Sequence, residues 1–576
     1  MDVERILPAS LISSDEIGAP IKIKEEVEMK RIVFLIVASL LVLSLVLPGC
    51  IGGPQITIAI CGPMMDPLGV HMLAGAILAA SEINANGGVD IGGTNYTIKL
   101  IAVDTDEINN PISAAPAMEN AIVNNGAQFV IGGVQTEAVW GMMGVAGCTT
   151  TPFFICGNSY VLLSVGTPYY PYTTQYPNRE GFKYVFRSDP FNDIFLLLNN
   201  SSLMATMVAK DIEGIIGSDY NGGDILNPVR IAIVALNLRW VDDVVEFARD
   251  IFGTVAPTVF NWPWELAGPA GNNGTGVWRV AQNISEQDMG DIMDEIADPD
   301  DDPNTNDGAH IIFTVLSGPE GVTFGKVKGA KEVRAIAVGL NIEAQDSGYW
   351  QKTKYQDTPP KYGAEYEITM GTWAPGVYQT SKTQHFQEAF NSTYHEFPIY
   401  TAAAYDMIYT LKAAMESKNS QTADVIIDWL EDPANARVTT TGISAYYPVW
   451  DGVTTGFFLE GTGYFDEELP ALNSTQITAL YGTLGYSPAC NFTMPPYTTH
   501  DLVYGPTWQT GIGVQWQATG GGTQVGVWPN SSNWTDQNTM SRRVAGINWT
   551  NVQYTGITDF IIPDEYCQAW TGSPCP

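Results

Sequence analysis

The chain has 576 residues, 45% of them hydrophobic, which is enough to bury sizeable cores and excludes a generally disordered protein. Acidic residues number 62 against 27 basic ones, for a formal net charge of -35, and such a field repels nucleic-acid phosphates, so nucleic acid is not expected as a partner. The length points to several domains, or to two lobes carrying large insertions.

In chain order, the first 54 residues read as separate from the fold. Lys30 and Arg31 precede an almost unbroken apolar run from Ile32 to Leu47, followed by Pro48, Gly49 and Cys50. A charged start and an apolar run shorter than the roughly 20 residues of a spanning helix are the parts of an export signal. The end of the run resembles a lipoprotein signal, which implies that Cys50 is the lipid-bearing first residue of the mature chain and that the membrane partner is reached through this anchor. The alternative is an uncleaved signal anchor. Residues 1–28 are read as a non-native or extended leader, with Met29 the natural start or the end of a long extension; 29–49 form the signal and 50–54 a tether.

The fold begins with Ile56, Ile58 and Ile60 on one side of a strand that ends near Gly62 and Pro63. A helix from His71 to Asn84, a strand from Thr97 to Val103, a helix over Ala114–Val123 and a strand from Gln128 to Ile131 follow, with Gly87 and Gly88 stopping the first helix. The same grammar recurs in a helical stretch Leu196–Ile216, strand Arg230–Leu236, helix Val241–Phe252, and strands His310–Val315 and Ala335–Gly339. Alternation of this kind predicts α/β lobes with largely parallel sheets. Pro257–Gly276 and Asp298–Gly308 are expected as surface excursions. Tyr400–Ser417 is the clearest later helix, with Asp424–Leu430 packing after it; beyond Thr439 the Gly-, Tyr-, Trp- and Pro-rich composition predicts short strands and structured loops.

Apart from Cys50, six cysteines permit three disulfides in fifteen pairings, or buried thiols; Cys148–Cys156 and Cys567–Cys575 are two local options. Eleven Asn-x-Ser/Thr tripeptides, at Asn95, Asn199, Asn200, Asn273, Asn283, Asn391, Asn473, Asn491, Asn530, Asn533 and Asn548, suit an exported glycosylated surface. Five histidines form no H-E-x-x-H arrangement, and no P-loop, G-x-G-x-x-G or G-x-S-x-G motif occurs, so no reaction centre is specified and no enzyme is expected. The acidic segment 298–307 lacks the glycine register and final glutamate of a calcium loop and reads as solvated, so no metal and no cofactor is expected.

The order of motifs resembles the type I periplasmic-binding-protein family, especially the branched-chain amino-acid and amide receptors of ABC importers. Ile58-Ala59-Ile60-Cys61-Gly62-Pro63-Met64, Gly75-Ala76, Glu82-Ile83-Asn84 and Gly87-Gly88 resemble its first βα unit. Val130-Ile131-Gly132-Gly133 with Thr136-Glu137-Ala138, Pro152-Phe153-Phe154-Ile155 with Gly157-Asn158-Ser159, and Phe186-Arg187-Ser188-Asp189-Pro190 resemble its next loops and its first passage between lobes. Pro398, Ala402–Asp406, His500-Asp501, Gln515-Trp516-Gln517 and Val527-Trp528-Pro529 keep the family's order to the end. The resemblance implies a two-lobed α/β fold with C-terminal additions: 55–189 as lobe 1, 190–345 as lobe 2, 346–445 returning to lobe 1, 446–530 completing lobe 2, and 531–576 as an extension.

It further implies a small polar solute, such as an amino acid or amide, held between the lobes and passed to an ABC permease at the extracellular face of the membrane. The first lobe would contribute Thr136, Glu137, Asn158 and Ser159, and the second Trp240, Ser317, Asn341 and Glu343. Thr136 and Ser159 supply hydroxyls and Asn158 an amide, while Trp240 would cover the solute's apolar part. Glu343, or Asn341 in a competing alignment, would receive an ammonium. Glu137 departs from the family's small polar residue and puts a simple α-amino acid in doubt, unless it points away and serves the first turn of its helix. A sensory or structural cell-envelope protein of the same fold is the alternative function.

Overall fold

The computed structural model describes residues 53–159, 183–188, 193–221, 224–255, 257, 263–267, 276–298, 308–432, 435, 437–441, 443–444, 511–518, 521–529 and 557–575. The leader, the signal-like run, Cys50, Cys490 and most of the expected acidic loop lie outside the described residues.

The first sheet is built from β1 (Gln55–Gly62), β2 (Val89–Ile91), β3 (Thr94–Asp104), β4 (Phe129–Gly132), β5 (Phe153–Ile155) and β6 (Val185–Arg187). Its order is β2-β3-β1-β4-β5-β6, parallel except for the β2–β3 hairpin. The alternation read in β1 is real but incomplete: Ile58 to Gly62 are all buried, because a central strand of a parallel sheet has helices on both faces. One of those helices, Pro67–Ala85, starts where Asp66 accepts from the Leu68 N–H at 2.9 Å with proline at its first position. It is long and apolar enough to cross a bilayer, yet 72% of that span is buried inside the lobe, so here it is a core helix.

After the small hairpin β7 (Asp219–Asn221) and β8 (Asp224–Leu226), the second sheet gathers β9 (Val229–Leu236), β10 (Trp264–Leu266), β11 (Val277–Val280), β12 (Ile311–Leu316) and β13 (Ile336–Asn341). A hairpin of β14 (Lys354–Asp357) and β15 (Pro360–Tyr362) precedes β16 (Ile368–Gly371); β17 (Arg437–Val438) pairs with β18 (Ile443–Ser444); and β19 (Ile512–Gln517) with β20 (Thr523–Trp528) ends the series. The order β10-β9-β12-β13-β16-β19-β20, with β11 also on β9, is parallel up to β16 and antiparallel beyond it.

Three expectations change here. Pro257–Gly276 is not wholly a surface excursion, because Trp264 is fully buried, donates to Glu213 at 3.0 Å and carries an edge strand onto β9. Sheet membership joins 368–371 to the second lobe, whereas the chain first packs back on the first lobe through the helix Ser381–Tyr394 and the segment Tyr400–Lys418. That return is tight: a Cβ on Gly75 would stand 2.3 Å from the Ala402 carbonyl oxygen. Of the two local cysteine pairs, Cys567–Cys575 is bonded, while Cys148 and Cys156 are separate thiols.

The C-terminal segment is a cap on the second lobe. Gln515 exchanges hydrogen bonds with Ile561, the buried Lys328 ammonium donates to Tyr566 at 3.1 Å, and Trp570 donates to the Arg334 carbonyl at 2.8 Å. Of the tripeptide asparagines among the described residues, Asn95, Asn283 and Asn391 are exposed, whereas Asn199 and Asn200 are buried and cannot carry a sugar in this fold.

Candidate functional site

Parallel strands deliver their C-terminal ends, and the loops that follow, to one edge of each sheet. In the first lobe the loop after β4 turns through Gly132 and Gly133. Both have positive φ, and a Cβ on Gly132 would fall onto the Cys61 carbonyl, so only glycine lets the strand pass β1 so closely. The helix Thr136–Thr149 starts directly afterwards.

Its entry is held by Glu107, a residue sequence reading missed. This fully buried carboxylate accepts from the Val134 and Gln135 N–H groups at 2.9 Å each and from the Thr105 hydroxyl at 2.9 Å. Burial pushes its pKa up while those donors pull it down. The segment Asp104-Thr105-Asp106-Glu107 reads as an acidic turn, and nothing local marks Glu107 as the loop's anchor.

Thr136 and Asn158 are both buried and in contact. The Asn158 Nδ2 donates to the Thr136 Oγ1 at 3.0 Å and to the Val134 carbonyl at 2.7 Å, joining the loops after β4 and β5. The Asn158 carbonyl accepts from the buried Arg187 guanidinium. Ser159 follows, half-buried, and Glu137 is exposed in the first turn of its helix, the position of a residue serving the helix dipole.

In the second lobe, Trp240 is half-buried at the start of the helix Arg239–Asp250. The Ser317 N–H donates to Glu320 at 3.2 Å, at the entry of the helix Glu320–Ala330. Asn341 lies inside the lobe: its fully buried amide donates to Glu367 at 2.7 Å and to the Tyr349 hydroxyl at 3.0 Å. Glu343 and Asp346 share the Lys352 ammonium at 3.0 and 2.6 Å. Burial works against the charge on Lys352, yet the two carboxylates outweigh it and hold the ammonium protonated. Burial likewise presses Asp346 upward, and Lys352 pulls its pKa below the usual range.

The two sets of loops meet. Val134 and Ile342, from opposite lobes, pack on one cluster with Leu68, Ile399 and Tyr400. Tyr400, also unforeseen, donates its hydroxyl to the Gly157 carbonyl at 2.8 Å, while its N–H reaches Gln345 at 3.4 Å. Thr136 and Asn158 are thus brought together, and the Glu343 turn faces their lobe, but Asn341 is held apart in a core network. Beside the lobe crossing lies a cavity of about 250 Å³, open mouth included, walled by Gln345, Thr372, Trp373, Phe397, Pro398 and Gln524 among others. None of the eight expected residues lines it.

No family model and no curated protein matches the sequence. Solved structures do. An ABC transporter substrate-binding protein from Sphaerobacter thermophilus aligns at 12% identity over 82% of this chain and 97% of its own, with a TM-score of 0.53. A solute-binding protein of an ABC transporter from R. palustris, in complex with 4-hydroxybenzoate, aligns at 14% identity over 82% and 95%, TM-score 0.52. The fold is the type I periplasmic-binding-protein fold. A further solute-binding protein, from Rhodopseudomonas palustris BisB5 with 3,4-dihydroxy benzoic acid, aligns at 13% identity over 82% and 95%, TM-score 0.51. In periplasmic-binding-protein terms, β1–β6 and the helices around them form one lobe, and β9–β13, β16, β19 and β20 form the other.

Proposed function

We propose that this chain captures a small polar solute between its lobes and passes it to an ABC permease, without chemistry of its own. The observation that carries the reading is the shared packing of Val134 and Ile342, which sets the Thr136 and Asn158 loops of one lobe beside the Glu343 turn of the other. Thr136, Glu137, Asn158 and Ser159 are the first-lobe contacts of this reading, and Trp240, Ser317 and Glu343 those of the second; Asn341 then supports the wall from inside.

The pairing of Glu343 with Lys352 favours an amide or alcohol over an α-amino acid, since a ligand ammonium would have to compete with a resident one. Capture drives closure only in so far as the solute binds the closed form more tightly. The lipoprotein-like Cys50, the apolar run before it and the exposed Asn95, Asn283 and Asn391 support an exported, lipid-anchored, glycosylated protein.

Isothermal calorimetry against L-leucine, isobutyramide, ethanolamine and 4-hydroxybenzoate tests the reading. One-site binding by a member of this panel, weakened in Thr136→Val, is expected. The absence of heat with every compound would count against solute capture.

A further inference from the structure

Three helices of the first lobe bring together four side chains that solute capture does not use. Glu82 lies near the end of Pro67–Ala85, roughly 22 Å along that helix from its cleft-side start. Tyr405 and Tyr409 stand one turn apart on Ala404–Lys418, and His385 projects from Ser381–Tyr394. One Glu82 oxygen accepts from both phenol hydroxyls at 2.7 Å, and the other lies 2.8 Å from the His385 Nε2. The two phenol rings are 5.0 Å apart between centroids.

We propose that Glu82, His385, Tyr405 and Tyr409 form a binding site for a ferric ion. Ligand atoms around an octahedral ion with bonds of about 2.0–2.1 Å stand about 2.9 Å apart along each edge, close to the separations of the two phenols and of His385 from the Glu82 oxygens. The donor set selects the charge. With both phenols ionised, one carboxylate and two phenolates carry three negative charges and neutralise Fe³⁺, with imidazole as the uncharged fourth ligand.

Binding releases two phenol protons to solvent and needs no oxidant or reductant. Both phenols donate to one Glu82 oxygen in the metal-free protein, and an ion that takes up that oxygen displaces the two protons. Lys382, whose ammonium lies 5.7 Å from the Tyr409 ring centre, stabilises the phenolate once formed. Access is one-sided: Tyr405 is 4% exposed, while the His385 side chain is 63% exposed and leaves room for water or an anion at the remaining positions. Among the described residues no three His, Cys, Asp or Glu side chains converge, so ion binding at this cluster depends on the two tyrosines.

Titrating the full-length, metal-free protein with ferric citrate tests the proposal. A visible tyrosinate-to-iron charge-transfer band saturating at one iron per chain, with two protons released, is expected. Tyr405→Phe with Tyr409→Phe should abolish the band, and His385→Ala, a change at an exposed side chain, should weaken iron binding about tenfold or more. Circular dichroism of each variant separates lost ligation from lost folding. No band in the parent protein, or a band unchanged in His385→Ala and in folded tyrosine variants, would overturn the site.

Discussion

The Asn158 amide is fastened to the Thr136 hydroxyl at 3.0 Å, and through its second proton to the Val134 carbonyl at 2.7 Å. Two loops from separate strands are therefore one rigid wall. Asn158→Ala takes the donor from the buried Thr136 hydroxyl and from the half-buried Val134 carbonyl and should destabilise the protein by about 1–3 kcal/mol in urea unfolding. It should also weaken solute binding in calorimetry; unchanged stability would show that the loops are held by other contacts.

In the second lobe Lys352 bridges two carboxylates, Glu343 and Asp346. Lys352→Met leaves both without a cation. The side chains of Lys352 and Glu343 retain 31% and 20% exposure, so solvent screening limits the expected loss to about 1–2 kcal/mol. Because Asp346 has a depressed pKa in the folded state, its contribution is present above the ordinary carboxylate range and fades as pH falls through the folded value. The variant should flatten that acid limb of a stability profile, and an unaltered limb would remove Lys352 from the account.

Glu367 has the opposite sign. Burial pushes its carboxyl up to about 7 against an ordinary 4.5, despite hydrogen bonds from Tyr349 and Asn341. The folded state therefore holds a proton that the unfolded chain has released, and stability falls as pH rises from about 4.5 through about 7, by roughly 3 kcal/mol. Glu367→Gln should abolish this decline in denaturant midpoints measured across that interval. A decline of the same size in the variant would assign it elsewhere.

Gly75 sits where the helix Pro67–Ala85 crosses the returning chain. Gly75→Ala puts a methyl on the Ala402 carbonyl and should cost about 1–3 kcal/mol, read as a lower thermal midpoint. An unchanged midpoint would mean that the return segment yields freely.

Much of the first lobe was legible because its strands and helices carry strong periodicity: Gln55–Gly62, Ala114–Val123 and Phe129–Gly132 lie within a residue or so of their expected bounds. The loops after β4 and β5 were found through resemblance, and the contact between Thr136 and Asn158 follows from the strand order, which no local pattern states. Glu107, Lys352 and Tyr400 escaped notice because their roles depend on partners far along the chain or on a turn that only the fold closes. Trp264 was misread for a related reason: a Trp- and Pro-rich stretch looks like a loop until a neighbouring strand edge takes it up. Helix Glu320–Ala330 was hidden by three internal glycines, which weaken the helical pattern without preventing packing against a sheet.

Small-angle X-ray scattering of the full-length protein, with and without a solute that binds in the calorimetric panel, tests capture by lobe closure most directly. The account predicts a smaller radius of gyration with solute present, and no such change in Asn158→Ala at the same solute concentration. A bound solute that leaves the scattering curve of the parent protein unchanged would contradict it.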